Sequence, residues 1–138
     1  MDPLRLAHFG FLCAWAGVLL VELVVEALGS RREAQALATR AHFWIDVLVE
    51  LPIVAAVLAT GVVLLLRVWP PTTLHIVKTG SALVAIGVNL YCSLMVILRY
   101  RARADADAVG RYGRRVRLSG LGIPFGAVAA YVGLTHFL

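Results

Sequence analysis

Residues 81–98, SALVAIGVNLYCSLMVIL, form an apolar run of 18 positions without a charged side chain. An α-helix rises 1.5 Å per residue, so about 20 residues of this kind cross a hydrocarbon core about 30 Å thick. The run is typical of the chain, which has 138 residues, 61% of them hydrophobic, and a mean hydropathy of +0.86. The sequence therefore predicts an integral membrane protein.

Three other apolar runs have comparable length, so we predict four membrane helices, at about residues 4–28, 41–66, 73–98 and 118–138. The connections between them are short, which places consecutive helices side by side in opposite directions. In such a bundle each helix satisfies its own backbone polar groups. The predicted fold class is all-α, a single transmembrane domain over residues 1–138 built as an antiparallel four-helix bundle in the lipid bilayer.

The positive charges indicate an orientation. A net charge of +5 would suggest nucleic acid as the partner of a soluble protein, but here most arginines fall in two connections, SRREAQALATR and RYRARADADAVGRYGRRVR. By the positive-inside rule both connections are cytoplasmic and both termini lie outside. We expect a bacterial inner-membrane protein without a nucleic-acid partner, whose arginines attract anionic lipid headgroups.

Polar residues inside the predicted helices fall into two layers. An outer layer near one membrane boundary is flanked by two arginines and comprises Arg5, His8, Arg67, His75, Lys78 and His136. An inner layer comprises Glu22, Glu26, His42, Asp46, Glu50 and Asn89. Charged side chains at membrane depth cost about 2.5 to 3.5 kcal/mol each on insertion scales, so they normally face the bundle interior and mark a site or a pathway.

Helical spacing supports convergence within each layer. His42, Asp46 and Glu50 recur every four residues and share one side of their helix, and Glu22 and Glu26 do the same in the first helix. We expect Glu22 and Glu50 to approach each other and to share a proton. Two other interpretations stay open: the outer residues can snorkel to the headgroups, and the inner carboxylates can pair with Arg32, Arg40 or His42.

Pro52 and the only lysine are further local signals. Pro52 lies inside the second predicted helix, where it removes a backbone donor and should kink the helix and free a carbonyl group. Lys78 is the one lysine in a chain that otherwise uses arginine, and it stands near the outer end of the third helix. A lysine offers a compact charge on a flexible stem, which suits a carboxylate partner.

The first three helices resemble the HemJ-type protoporphyrinogen oxidases and the related CopD-like small membrane proteins. The first helix, LAHFGFLCAWAG, has His8 followed seven residues later by Trp15 and then by Gly17; the second has Pro52 followed nine residues later by Gly61; the third has Lys78 near its outer end. The family commonly has a second histidine eleven residues after the lysine, where this chain has Asn89. The resemblance covers about residues 4–98.

The resemblance implies b-type haem bound by His8, a catalytic role for His8 and Lys78, and oxidation of a porphyrin substrate. Haem also suits the outer layer chemically: His75 or His136 would be the second axial ligand, and Arg5, Arg67 and Lys78 could meet the propionates. The main chemical alternative is a zinc or copper site made by His8, His75 and His136.

Two other function classes remain open from the sequence. A small bundle with little mass outside the membrane can be a non-enzymatic accessory subunit beside a membrane partner or a second copy of itself. Alternatively, the inner carboxylates and Asn89 can form a pathway for protons or metal ions towards the outer histidines and Lys78. Hydrolase and nucleotide-driven functions are disfavoured, because the chain has no phosphate-binding glycine loop, nucleophile elbow or H-E-x-x-H sequence.

Overall fold

The computed structural model describes residues 2–31 and 33–136, and all of its regular structure over these residues is helical. The helices, in chain order, are α1 (Pro3–Gly29), α2 (Gln35–Ile45), α3 (Leu51–Arg67), α4 (Thr73–Arg101), α5 (Ala106–Ser119) and α6 (Ile123–His136). A π-helical turn, Asp46–Glu50, makes α2 and α3 continuous, and a 3₁₀ turn, Gly120–Gly122, joins α5 to α6. The all-α prediction is confirmed.

Four helical runs are long and apolar enough to cross a membrane: Pro3–Gly29, Gln35–Arg67, Thr73–Arg101 and Ala106–His136. The predicted spans at 4–28 and 73–98 agree with α1 and α4 to within three residues at either end. The second run begins six residues before the predicted residue 41. Large apolar side chains such as Leu20, Leu48, Leu66 and Leu121 are exposed on the outside of the molecule.

The fourth run differs most from its prediction, because the arginine-rich connection is itself helical. The side chain of Asp105 accepts hydrogen bonds from the backbone N–H groups of Asp107 and Ala108, and this N-cap starts α5 inside the arginine-rich connection that precedes the predicted span 118–138. Val109 and Val116 are buried against the bundle while the arginines remain exposed. The last two residues of the predicted span, 137 and 138, lie outside the described residues.

Two groups of helices make up the molecule. Helix α1 packs mainly against α2 and α3, α4 packs mainly against α5 and α6, and α2 connects the groups by packing on α4. Two side-chain contacts join α1 to the second run: His8 near the start of α1 contacts Thr60, and Glu26 near its end contacts His42. The two helical runs are therefore antiparallel. Helices α1 and α6 make little contact with each other.

The π-helical turn lies where Pro52 was expected to kink the helix. Proline has no N–H to donate to the carbonyl four residues back, and the helix widens just before it. The N–H of Leu51 donates to the carbonyl of Asp46, five residues earlier. The chain thus accommodates Pro52 by adding one residue to a turn, and both ends of that turn, Asp46 and Glu50, are buried.

Gly122 allows the 3₁₀ turn to lie directly against α4. A β-carbon added at Gly122 would lie 2.7 Å from Cγ1 and 2.9 Å from Cβ of Val88, which is closer than carbon atoms approach without a shift. At Gly120, two residues away in the same turn, an added β-carbon would have no atom within 4 Å. The two glycines therefore form a matched pair for testing this contact.

We predict that Gly122→Ala destabilises the protein by about 1 to 3 kcal/mol, the usual cost of overpacking, whereas Gly120→Ala has little effect. The comparison is made by thermal unfolding of both variants in the same detergent. Equal unfolding temperatures for the two variants would mean that the turn does not pack on Val88 as described.

Candidate functional site

Eight polar residues meet in the interior and are called here the buried polar cluster. They come from α1, from the end of α2 with the π-helical turn, and from α4: Glu22, Glu26, His42, Asp46, Glu50, Asn89, Ser93 and Arg99. His42, Asp46 and Glu50 are at most 2% exposed. Ionisable side chains are rare in the interior of helices that are long and apolar enough to cross a membrane, so this cluster is the principal candidate site.

The π-helical turn explains how three residues of one helix reach this cluster together. Residues four apart in an α-helix are displaced by about 40° around the axis, so successive steps of four drift away from one face. A wider turn reduces the drift, and Asp46 and Glu50 bound such a turn, which begins four residues after His42. Single π-helical turns of this kind are frequent at functional sites.

One corner of the cluster is an ion pair extended by a histidine. Arg99 donates from Nη1 to Oε2 of Glu26 at 3.0 Å and from Nη2 to Oε1 at 2.6 Å. Nδ1 of His42 lies 2.6 Å from the same Oε1, and its Nε2 lies 3.7 Å from Oε2 of Glu22. The bidentate contact occupies both oxygens of Glu26, and His42 links this carboxylate to Glu22.

The opposite corner holds two further carboxyl groups. Oε1 of Glu50 accepts hydrogen bonds from Nε1 of Trp15 at 3.0 Å and from Nδ2 of Asn89 at 2.6 Å. Oδ1 of Asp46 accepts from Oγ of Ser93 at 2.8 Å. The described hydrogen bonds to these two carboxyl groups therefore come from neutral donors.

Several buried atoms of the cluster lack a hydrogen-bond partner among the described residues. They are Oε1 of Glu22, Nε2 of His42, Oδ2 of Asp46, Oδ1 of Asn89 and Nε of Arg99. Most buried polar atoms in proteins are paired, so five unsatisfied atoms in one place call for a proton, a water molecule or a ligand.

A cavity of about 780 Å³ adjoins the cluster. It is lined by residues of α1, α2, α4, α5 and α6, and it lies where α1 and α6 make little contact. Most of its wall is apolar, including Leu12, Leu19 and Ala85, whereas Glu22 and Asn89 are among its polar residues. Its volume falls in the range of small-molecule pockets, about 300 to 1,000 Å³.

The six residues of the predicted inner layer all belong to the buried polar cluster. The alternative in which these carboxylates pair with His42 is confirmed for Glu26 and Glu22, whereas Arg40 is exposed and Arg32 lies outside the described residues. Glu22 and Glu50 are close enough for their charges to interact, but the hydrogen bonds of Glu50 go to Trp15 and Asn89.

Sequence reasoning missed Arg99, Ser93 and the role of Trp15. Arg99 was assigned to the cytoplasmic connection, and this was wrong, because α4 continues to Arg101 and buries Arg99 at 4% exposure. The available signal was periodicity, since Asn89, Ser93, Val96 and Arg99 recur at three or four residues. Its position at the end of an apolar run concealed it.

The outer residues are more dispersed. Nδ1 of His8 lies 2.7 Å from Oγ1 of Thr60. Nδ1 of His75 lies 2.7 Å from Oγ1 of Thr72 in a capping box that starts α4. The remaining outer residues are placed as follows: Arg67 pairs with Asp2 at 2.8 Å, the stem of Lys78 lies against Gly133, and Arg5 and His136 are exposed.

None of the three outer histidines lines the 780 Å³ cavity, whose histidine is His42. Over residues 2–31 and 33–136, no group of three or more His, Cys, Asp or Glu side chains is arranged to hold a metal ion. The zinc or copper site of His8, His75 and His136 is therefore not preformed in the described structure.

Comparisons with protein-family models, with curated proteins and with solved structures find no match to this chain. The resemblance to the HemJ-type oxidases thus depends on the short patterns around His8, Pro52 and Lys78 alone.

We predict that Arg99→Met destabilises the protein by about 3 to 5 kcal/mol, because Glu26 loses its bidentate partner and stays buried. The matched control is Arg101→Met, two residues away on the same helix and exposed. The double variant Arg99→Met with Glu26→Gln should recover part of the loss. Thermal unfolding in detergent measures all three, and an Arg99→Met variant as stable as Arg101→Met would contradict the ion pair.

Proposed function

We propose that this chain is an integral membrane protein, an antiparallel four-helix bundle, that binds and releases protons at its buried polar cluster and works as a proton-coupled carrier. One observation carries the proposal: three buried carboxyl groups and that of the partly buried Glu26 face one guanidinium group and one imidazole inside an apolar helix set. Even with His42 protonated, two negative charges would lack a positive partner within the cluster.

The pairing within the cluster indicates where protons are held. Arg99 neutralises Glu26, and a protonated His42 would neutralise Glu22, since these groups are in contact. Asp46 and Glu50 then remain, with hydrogen bonds from Ser93, Trp15 and Asn89, and their two carboxyl groups lie within hydrogen-bonding reach of each other. Unpaired carboxylates at membrane depth are costly, so these two positions favour protonated carboxyl groups or a shared proton.

The membrane assignment is supported by the surface and the charges. Exposed leucines, valines and isoleucines cover the long helical runs, as lipid contact requires. The arginines of α5 are exposed and belong to the connection between the third and fourth runs: Arg111, Arg114, Arg115 and Arg117. In an antiparallel bundle this connection lies at the same membrane face as the connection between the first and second runs, which carries Arg31 and Arg40. By the positive-inside rule this side is cytoplasmic, and both termini are on the outside.

Access to the cluster comes from the cavity rather than from the outer layer. The apolar group of Trp15, Val54, Val57, Ala85 and Ile86 packs between the cluster and the outer end of the helices. This apolar group separates the cluster from the outer layer, so net proton transport would require the helices to rearrange. Glu22 both lines the cavity and touches His42, so it is the entry point through which protons reach the interior.

We predict that the protein in lipid at neutral pH shows the infrared C=O stretch of protonated carboxyl groups, and that Glu50→Gln or Asp46→Asn removes part of it. The control is Glu33→Gln at an exposed position between α1 and α2, which should leave the band unchanged. A wild-type protein without this band would refute the proposal. In proteoliposomes with an internal pH dye, Glu22→Gln should slow proton flux relative to Glu33→Gln.

A second candidate function, the HemJ-like binding of haem b, is favoured by the state of His8. Oγ1 of Thr60 lies 2.7 Å from the carbonyl of Ala56 and donates to it, so it accepts from Nδ1–H of His8. This fixes the tautomer and leaves Nε2 of His8 with the lone pair that an iron ligand needs. A bound haem would supply one-electron redox chemistry, and in this reading Lys78 would meet a carboxylate of haem or of a porphyrin substrate.

The fit to haem is limited to this one ligand. Nδ1 of His75 lies against Thr72 at the start of α4, and His136 is exposed at the end of α6. Gly61 gives His8 room, since a β-carbon added there would lie 3.3 Å from Cε1 of its ring.

We predict that, if haem is bound, His8→Ala abolishes or strongly alters the haem absorption bands, whereas Lys78→Met leaves them intact and impairs function. The measurement is an absorption spectrum of the purified protein after expression with adequate haem. Thr60→Val should weaken the bands, because the imidazole of His8 loses the hydrogen bond to Thr60 that orients it. A colourless wild-type protein under these conditions would eliminate this candidate and leave the proton-coupled function untouched.

A further inference from the structure

We propose that the 780 Å³ cavity beside the buried polar cluster binds an apolar organic cation, which exchanges with protons held by the cluster. This inference rests on the proposed function, because the same carboxyl groups serve both occupants. It adds the chemical class of the substrate: a monovalent cation whose charge is surrounded by hydrocarbon.

The walls select for hydrocarbon. Most of the exposed wall area is apolar, and the lining residues include Leu12, Leu19 and Val88 with the small residues Gly126, Ala127 and Ala130 of α6. Small residues along α6 leave space that larger side chains would fill. A ligand that fills this space removes apolar surface from water or lipid headgroups, worth about 25 cal/mol per Å² transferred from water.

The polar end of the cavity selects for positive charge. Glu22 and Asn89 line it, each is 6% exposed, and each carries a buried oxygen, Oε1 and Oδ1 respectively, without a hydrogen-bond partner among the described residues. Both atoms are acceptors. A cation at this end would complement two otherwise unsatisfied oxygens and reduce the excess negative charge of the cluster.

The arginines of the cavity do not reverse this preference. Both terminal nitrogens of Arg99 are bound to the carboxylate of Glu26, so its charge is already neutralised. Arg117 also lines the cavity, but this residue is exposed. His42 also lines the cavity, but it is already paired with Glu26 and Glu22, so an anionic ligand would meet the carboxylate of Glu22 without a free buried cation.

Competition with protons follows from the charges that face Glu22. These groups are Glu26 on α1, His42, Asp46 and Glu50 on the second helical run, Cys92 and Arg99 on α4, and Arg117 on α5. A cation entering beside Glu22 supplies the positive charge that the proton on His42 would otherwise supply to this carboxylate. One cation bound thus releases one proton, and charge balance in the interior is kept.

The test uses purified protein in detergent with tetraphenylphosphonium and tetraphenylborate, two ions of the same shape and opposite charge. We expect the cation to bind and the anion not to, with about one proton released per cation into a weakly buffered solution. Over the pH range in which the exchanging site is protonated, the apparent Kd of the cation should fall about tenfold for each unit by which the pH rises, because fewer protons compete for the site. Equal binding of both ions, or cation binding without proton release, would overturn the proposal.

A pair of variants locates the site. Glu22→Gln should weaken cation binding at least about tenfold, or about 1.4 kcal/mol, and abolish proton release, whereas Glu33→Gln should bind as the wild type does. Unchanged binding by a folded Glu22→Gln would also overturn the proposal. If the infrared band of protonated carboxyl groups is present but no cation binds, the cation inference fails alone; if the band is absent, the proposed function fails as well.

Discussion

The structure depends on how four carboxyl groups are tolerated inside a set of apolar helices. The strongest element of the solution is the bidentate contact of Arg99 with Glu26, which ties the end of α4 to the end of α1. His42 connects this pair to Glu22, and through the adjoining π-helical turn the second helical run is bound to both. Because each partner would be costly to bury alone, the three elements have to assemble together.

This constraint also organises the apolar packing. One apolar group, around Trp15 and Val54, lies on the outer side of the cluster, and a second, around Met95, Val96 and Val116, lies beside it on α4 and α5. Trp15 joins the two kinds of interaction, since its ring packs in the first group while its Nε1 donates to Glu50. The position of the apolar core is therefore tied to that of the polar cluster through Trp15.

The fold was predictable because hydropathy and length are properties of single segments. The four runs, their helical nature and the six inner polar residues all follow from local composition and from spacing of three or four. The π-helical turn and the burial of Arg99 were not predictable in this way. The first depends on how Pro52 is accommodated, and the second on Glu26, which is 73 positions away in the chain.

The outer layer shows the converse limit of spacing arguments. His8, His75 and His136 were grouped because helix counting gives them similar depth, yet Nδ1 of His8 lies against Thr60 and Nδ1 of His75 against Thr72, while His136 is exposed. Depth along the membrane fixes one coordinate only, and rotation about each helix axis fixes whether side chains meet. In the inner layer the carboxylates favour an arrangement in which polar side chains meet, because each unpaired charge at this depth has a high free-energy cost.

The cavity follows from the same arrangement. Helix α2 packs on α4 where Asp46, Glu50 and His42 meet Ser93, Asn89 and Arg99, which holds the two helix groups together on one side. On the other side α1 and α6 make little contact, and glycine and alanine on α6 provide little bulk to close the gap. A charged cluster that fastens one side of the bundle while the other stays open places its carboxylates beside an apolar space. That juxtaposition is what exchange between a proton and an organic cation requires.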